Sequence, residues 1–162
     1  MLIRDMGYNI YHLKDIKHII DGGKKVNLQK DRKVVIAEEK VYKVIDGGLT
    51  ANFLEVLRSG YYGRCAPNLF GLICDCESWV GYVQGRCQSL NVMKRDMEQI
   101  RQVLCDEYLR CGLVFGDSHK LNFAKWNGQT VILDLESVGW SRFTKDIPYM
   151  EFIKNNEPRR NT

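Results

Sequence analysis

The sequence predicts an α+β fold, and three observations carry that prediction. Residues 26–45 and 69–83 hold short runs rich in Val, Ile and Tyr, bounded by charged turns, which is the pattern of strands. Residues 51–58 and 91–110 space their apolar side chains at helical intervals. Asn127-Gly128 lies between two strand-like runs, the strongest short hairpin signal.

The elements follow in chain order. Ile10, Leu13, Ile16, Ile19 and Ile20 have helical spacing, and Gly22-Gly23 stops that helix. Val26 and Leu28 alternate with polar residues, Val34 to Ile36 form an apolar run, and Val41 to Ile45 form another. Asp31 to Lys33 and Glu38 to Lys40 are read as the turns between them, giving three antiparallel strands. A short helix is predicted over Ala51 to Arg58, with Thr50 as its N-cap and Gly60 beyond its end. Leu69 to Cys76 and Trp79 to Val83 read as two more strands joined at Glu77-Ser78, so the sheet is expected to be five-stranded and antiparallel. Asn91 to Arg110 is the longest helix, with Met93, Met97, Ile100, Val103, Leu104 and Tyr108 on its apolar stripe and Gly112 closing it. Asn122 to Lys125 and Thr130 to Leu133 form the hairpin.

Composition narrows the class. The 162 residues favour one domain, and 44% hydrophobic with 27% charged residues is ordinary for a globular chain. The net charge of +4, concentrated at Lys24, Lys25, Lys30, Arg32 and Lys33 and at Arg159 and Arg160, is too mild to imply nucleic acid. No run approaches the roughly 18 apolar residues of a membrane span, and the first residues lack the apolar core of a signal peptide. A cytoplasmic protein is expected, with its six cysteines as free thiols. Cys74-Asp75-Cys76 has the wrong spacing for a zinc knuckle, and the two thiols are read as small buried groups on one strand face.

The chemistry gathers at the two ends of the hairpin, in GDSHKLNFAKWNGQTVILDLE, residues 116–136. Both ends of a hairpin lie on the side away from its turn, so Asn122 and Asp134 come together and Asp117 stands just before them. Two carboxylates and an amide oxygen suit a hard cation such as magnesium, which takes one or two carboxylates and fills its shell with phosphate and water oxygens. A remaining acid can then orient a hydroxyl or accept its proton. A single Asp would be read as a turn cap. The joint pattern is harder to assign to turns alone.

FGDSHKLN followed by VILDLE resembles the catalytic core of the protein-kinase-like superfamily, closest to its aminoglycoside and choline phosphotransferase branch. That branch reads His-Gly-Asp-x-His-x-x-Asn and then Ile-Asp-Phe/Trp-Glu. The resemblance implies that Asp117 is the catalytic base and that Asn122 and Asp134 hold Mg2+ against the phosphates of ATP. Gly116 and His119 match the supporting positions, and Phe115 departs from the pattern by standing where the first His would be. Val41-Tyr42-Lys43 matches the third-strand lysine motif, so Lys43 is expected on the α- and β-phosphates. Lys40 is the competing lysine, in a charged turn. Glu55, twelve residues after Lys43, matches the helix glutamate that pairs with it. Tyr82, Val83 and Gln84 begin the segment resembling the hinge that binds adenine.

The resemblance implies a minimal kinase-like domain over residues 1–162: an N-lobe of about 24–84 with five strands and one helix, then hinge, long helix and catalytic hairpin over 85–140, then a tail over 141–162. Only 28 residues follow Asp134, so most of a second lobe is missing, and a protein partner or protein substrate is expected to complete it. Gly22-Gly23-Lys24-Lys25 is not a glycine-rich phosphate loop and is read as a turn. Two functions stay open: a phosphotransferase that uses ATP and Mg2+ to phosphorylate a hydroxyl of a protein or small molecule, or a weak or inactive relative that binds nucleotide or regulates a partner.

Overall fold

The computed structural model describes residues 7–26, 30–59, 66–88, 93–115, 123–133 and 135–140. The architecture is α+β, as expected: ten strands, three α-helices and one 3-10 turn among the described residues. The chain divides into two compact units, residues 1–50 with 68–86, and residues 51–67 with 87–162.

The first unit is a six-stranded mixed sheet with a helix. Its strands are β1 (Asn9–His12), β2 (Lys24–Lys25), β3 (Arg32–Ala37), β4 (Lys40–Ile45), β5 (Leu69–Asp75) and β6 (Ser78–Gly85), and the helix is α1 (Leu13–Gly22). The order across the sheet is β1-β5-β6-β4-β3-β2. The last five strands pair antiparallel, as the alternating runs predict. The expected five-stranded antiparallel sheet is corrected by β1, which pairs parallel to β5. The helical spacing from Ile10 therefore begins too early, because the helix starts at Leu13.

Local chemistry explains the extra strand. Gly71 lies opposite Asn9, and a Cβ there would lie 2.3 Å from the Asn9 carbonyl oxygen, so only glycine admits the close approach. The Asn9 amide donates to the Phe70 carbonyl at 3.0 Å, and the Tyr11 ring meets Tyr42 edge to face. Cys74 is buried on β5 as expected, whereas Cys76 leaves the strand: it is exposed in the β5–β6 turn with φ +56°. The predicted strand at Val26 and Leu28 is observed one step earlier, at Lys24–Lys25, and residues 27–29 lie outside the described residues.

One face of this sheet is closed by α1. Ile16 and Ile20 pack on Val35, Tyr42, Ile73 and Val83, the i and i+4 positions of the helix against alternate positions of the strands. Burying each such side chain stabilises the unit by about 1.5–3 kcal/mol. The helix ends as predicted, with the Gly23 N–H donating to the Ile19 carbonyl at 2.9 Å.

The second unit holds α2 (Ala51–Arg58), α3 (Lys94–Cys111), the paired strands β7 (Leu113–Phe115) and β10 (Val138–Trp140), and the hairpin β8 (Phe123–Trp126) with β9 (Gln129–Ile132). A 3-10 turn, Leu135–Ser137, leads into β10. Met97, Ile100 and Leu104 of α3 form a core with Val56, Leu113, Phe115, Phe123, Ile132 and Trp140. The expected end of α3 is borne out: Gly112 takes φ +78° and its N–H donates to Tyr108. The hairpin turn is borne out too, with Asn127 at φ +49° and Gly128 at φ +78°, both central residues left-handed as a two-residue type I′ turn requires. The β7–β10 pair was not expected, because strands of three residues show no periodicity.

Candidate nucleotide site

β4 places Lys43 at the centre of the sheet, between Val34 of β3 and Tyr82 of β6. Side chains alternate along a strand, so Tyr42 and Val44 turn toward α1 and Lys43 turns the other way. On that opposite face Lys43 is joined by its cross-strand partner Tyr82 and, one pair further along β6, by Gln84. The Lys43 ammonium lies 5.8 Å from the centroid of the Tyr82 ring, within cation–π range. Lys43 is 6% exposed and Gln84 3%, although both side chains are strongly polar. A strand lysine held for solubility alone is usually far more exposed than this. The competing Lys40 sits at the start of β4, over the ring of Phe70.

The structure brings together three of the predicted nucleotide residues, Lys43, Tyr82 and Gln84, and sends the fourth elsewhere. Val83 faces the α1 core with Ile16, Ile20 and Ile73. A contact to a ligand on the Lys43 face would come from its backbone and not from its side chain. Gly81 lets the strands carrying these residues approach: a Cβ there would lie 1.9 Å from the Lys43 carbonyl oxygen. Sequence reading passed over Gly81, though a lone glycine inside a strand pattern is the signal of such an approach. Beyond Gln84, the Gly85 N–H donates to Asn68 and the Arg86 N–H to Glu39, which fixes the end of β6. The division between the two units falls just after, between Arg86 and Cys87.

A cleft of about 610 Å3 also opens in the first unit, beside Lys14, Lys17, Lys30, Lys33, Asp46 and Val80. Lys43, Tyr82 and Gln84 are not among its lining residues.

In the second unit, Glu55 is the fifth of the eight residues of α2 and pairs with Arg58, one turn along the same helix. Both side chains are over a third exposed, so this pair contributes little to stability. Phe115, the departure from the family pattern, is a buried residue at the end of β7, packed edge to face on Phe123 at 5.6 Å. It anchors by apolar packing the strand that leads to Gly116 and Asp117. Gly116, Asp117, His119, Asn122 and Asp134 lie outside the described residues. Among the described residues, no three His, Cys, Asp or Glu side chains come together to hold a metal ion.

The hairpin that separates Asn122 from Asp134 in sequence is itself strongly tied. Lys125 on β8 donates to Asp96 at 2.6 Å, and the same carboxylate accepts from the Met93 N–H at 3.0 Å, closing the first turn of α3. The Lys125 hydrogen bond, then the Met93 N–H, hold the Asp96 carboxyl below the usual carboxylate range. The Gln88 side chain accepts from the Asn127 N–H at 2.8 Å, and the Gln88 N–H donates to the Lys125 carbonyl at 3.0 Å. No helix among the described residues is long and apolar enough to cross a membrane. The chain matches no protein-family model and no curated protein.

Proposed function

We propose that this chain is a kinase-like phosphotransferase that moves the γ-phosphate of ATP to a hydroxyl of a protein or small molecule. The observation that carries the reading is the buried Lys43 side chain, set beside Tyr82 and Gln84 on one face of the sheet. A lysine set in the sheet face beside an aromatic ring and a carboxamide can present its ammonium to an anion, and an ATP phosphate is the anion this reading supplies. Lys43 binds the α- and β-phosphates, and backbone groups around Val83 and Gln84 take the base. Asp117 orients the acceptor hydroxyl and accepts its proton as the acceptor oxygen attacks the γ-phosphorus in line. The bond from that phosphorus to the bridging oxygen breaks, and ADP leaves with the electron pair. The oxygen donors of Asn122 and Asp134 suit Mg2+, which supplies charge neutralisation at the phosphates when bound.

A second reading, a partner-regulating relative without transfer activity, draws support from one observation: the Glu55 carboxylate is engaged by Arg58 in its own helix. The test is thermal denaturation with ATP, with and without Mg2+, for the wild type, Lys43→Met and Asp134→Ala. Ligand at 100 times its Kd adds about 2.7 kcal/mol, a rise of roughly 5–10 °C for a chain of this size. The phosphotransferase reading expects that rise to need Mg2+ and to vanish in both variants. Asp117→Ala should keep the rise and lose transfer from labelled ATP. A wild type with no rise under any condition removes the nucleotide site, and a rise without any transfer leaves the regulatory reading.

A further inference from the structure

We infer that Asn52 is a positioning residue, whose side-chain amide clamps the backbone of Trp140 and so fixes the helix that carries Glu55. The inference rests on the phosphotransferase reading and adds to it a residue outside the family motifs.

The clamp uses both halves of one amide. Asn52 Oδ1 accepts from the Trp140 N–H at 2.7 Å, and Asn52 Nδ2 donates to the Trp140 carbonyl at 3.2 Å. The helix α2 has eight residues, too few to hold its shape or place alone, so tertiary contacts decide where it sits. Asn52 lies one turn before Glu55, on neighbouring positions of the same helix. The strand that it grips, β10, is paired along its length with β7, Val138 opposite Phe115 and Trp140 opposite Leu113. In the chain, Phe115 precedes Asp117 by two residues and Val138 follows Asp134 by four. A single side chain therefore ties the Glu55 helix to two paired strands that lie, in sequence, within four residues of the proposed base and metal ligand.

Residue choice on both sides fits the clamp. A Cβ on Gly139 would lie 2.4 Å from Asn52 Nδ2, so the close seat of the amide on the strand requires glycine there. The Asn52 carboxamide offers one acceptor and one donor in this geometry. An ionised aspartate accepts twice and would turn an oxygen against the Trp140 carbonyl, whereas a protonated one regains the donor. Burial and that oxygen–oxygen contact both favour the protonated form, so its carboxyl should titrate above the usual range.

The experiment measures Mg2+·ATP affinity at about pH 7.5 and about pH 5 for the wild type, Asn52→Asp and Asn52→Ala. Asn52→Asp is expected to bind about tenfold more weakly at the higher pH, the loss of roughly one hydrogen bond and its replacement by a repulsion. It should recover toward the wild type at the lower pH, while Asn52→Ala stays weak at both. A merely structural role would move the ligand-free melting temperature and leave affinity untouched. Gly139→Ala supplies an independent perturbation: it should weaken binding when Asn52 is present and add nothing in the Asn52→Ala background. A wild type that binds no Mg2+·ATP overturns the phosphotransferase reading and this inference together. A wild type that binds, with Asn52→Asp equal to it at both pH values, overturns the inference alone. If Asn52→Asp fails to fold, Gly139→Ala decides, and wild-type affinity in that variant overturns the clamp.

Discussion

Gly81→Ala tests how closely the strands around Lys43 must approach. Gly81 lies opposite Val44 on one side and Ile73 on the other, in the middle of the sheet. The added methyl would sit 1.9 Å from the Lys43 carbonyl oxygen and 2.9 Å from the Lys43 carbonyl carbon, both backbone atoms that no rotamer change can move. Ordinary contact begins near 3.4 Å, so β4 and β6 would have to part by about 1.5 Å, the difference of 3.4 and 1.9. A ladder hydrogen bond does not survive that stretch. Losing two such bonds and leaving their groups poorly paired costs about 2–4 kcal/mol, at or just above the usual range for overpacking. The melting temperature by circular dichroism should fall by roughly 5–15 °C. Because the same displacement separates Lys43 from Tyr82, Mg2+·ATP affinity should fall with it. A variant that melts within about 1 °C of the wild type refutes the close-approach argument and the claim that Gly81 sets the spacing at Lys43.

The Asp96 carboxyl is held low by Lys125 and the Met93 N–H, so its contribution is present above the ordinary aspartate pKa of about 3.9 and is lost as pH falls below that. Thermal melting of the wild type should therefore drop steeply below about pH 4, and Asp96→Asn should flatten that acid limb; an unchanged limb removes the Lys125–Asp96 pair as its source. The thiols should separate by environment. Burial pushes Cys87 up to about 11, so an alkylating reagent near neutral pH should spare it in the folded chain, and the exposed Cys76 should react before it by mass spectrometry. Early labelling at Cys87 would show that its surroundings open readily.

What was legible in the sequence was whatever depends on local pattern. The α2 helix shows Phe53, Val56 and Leu57 at i, i+3 and i+4, and all three are fully buried. The Asn127-Gly128 turn and the Gly112 end of α3 follow from left-handed backbone that few residues adopt. The parallel β1 was hidden, because its pairing partner lies some sixty residues away and its four residues run straight into a true helix. Cys76 was misplaced because the strand pattern continues one residue past its end at Asp75. The Asn52 clamp was out of reach of any motif, since an asparagine early in a helix has many local uses and the partner backbone is 88 residues distant.

The site shows the same division between local pattern and tertiary placement. A lysine at the centre of a Val-Tyr-Lys-Val strand has two faces open to it, and sequence alone does not say which is closed by a helix. The register decides: Tyr42 and Val44 go to α1, so Lys43 must share the other face with Tyr82 and Gln84. That consequence also separates Val83 from its neighbours, since alternation cannot put three consecutive residues on one side. Burying two polar side chains there, Lys43 and Gln84, carries a desolvation cost. Lys43→Met offers the sharpest weighing of that cost. A methionine keeps most of the stem's volume and removes the charge, so a site maintained for stability should melt lower, and a site maintained for an anionic ligand should melt at or above the wild type while losing the Mg2+·ATP response. A variant that melts well below the wild type in the absence of ligand would make Lys43 a structural cation and leave the proposed phosphate contact without its residue.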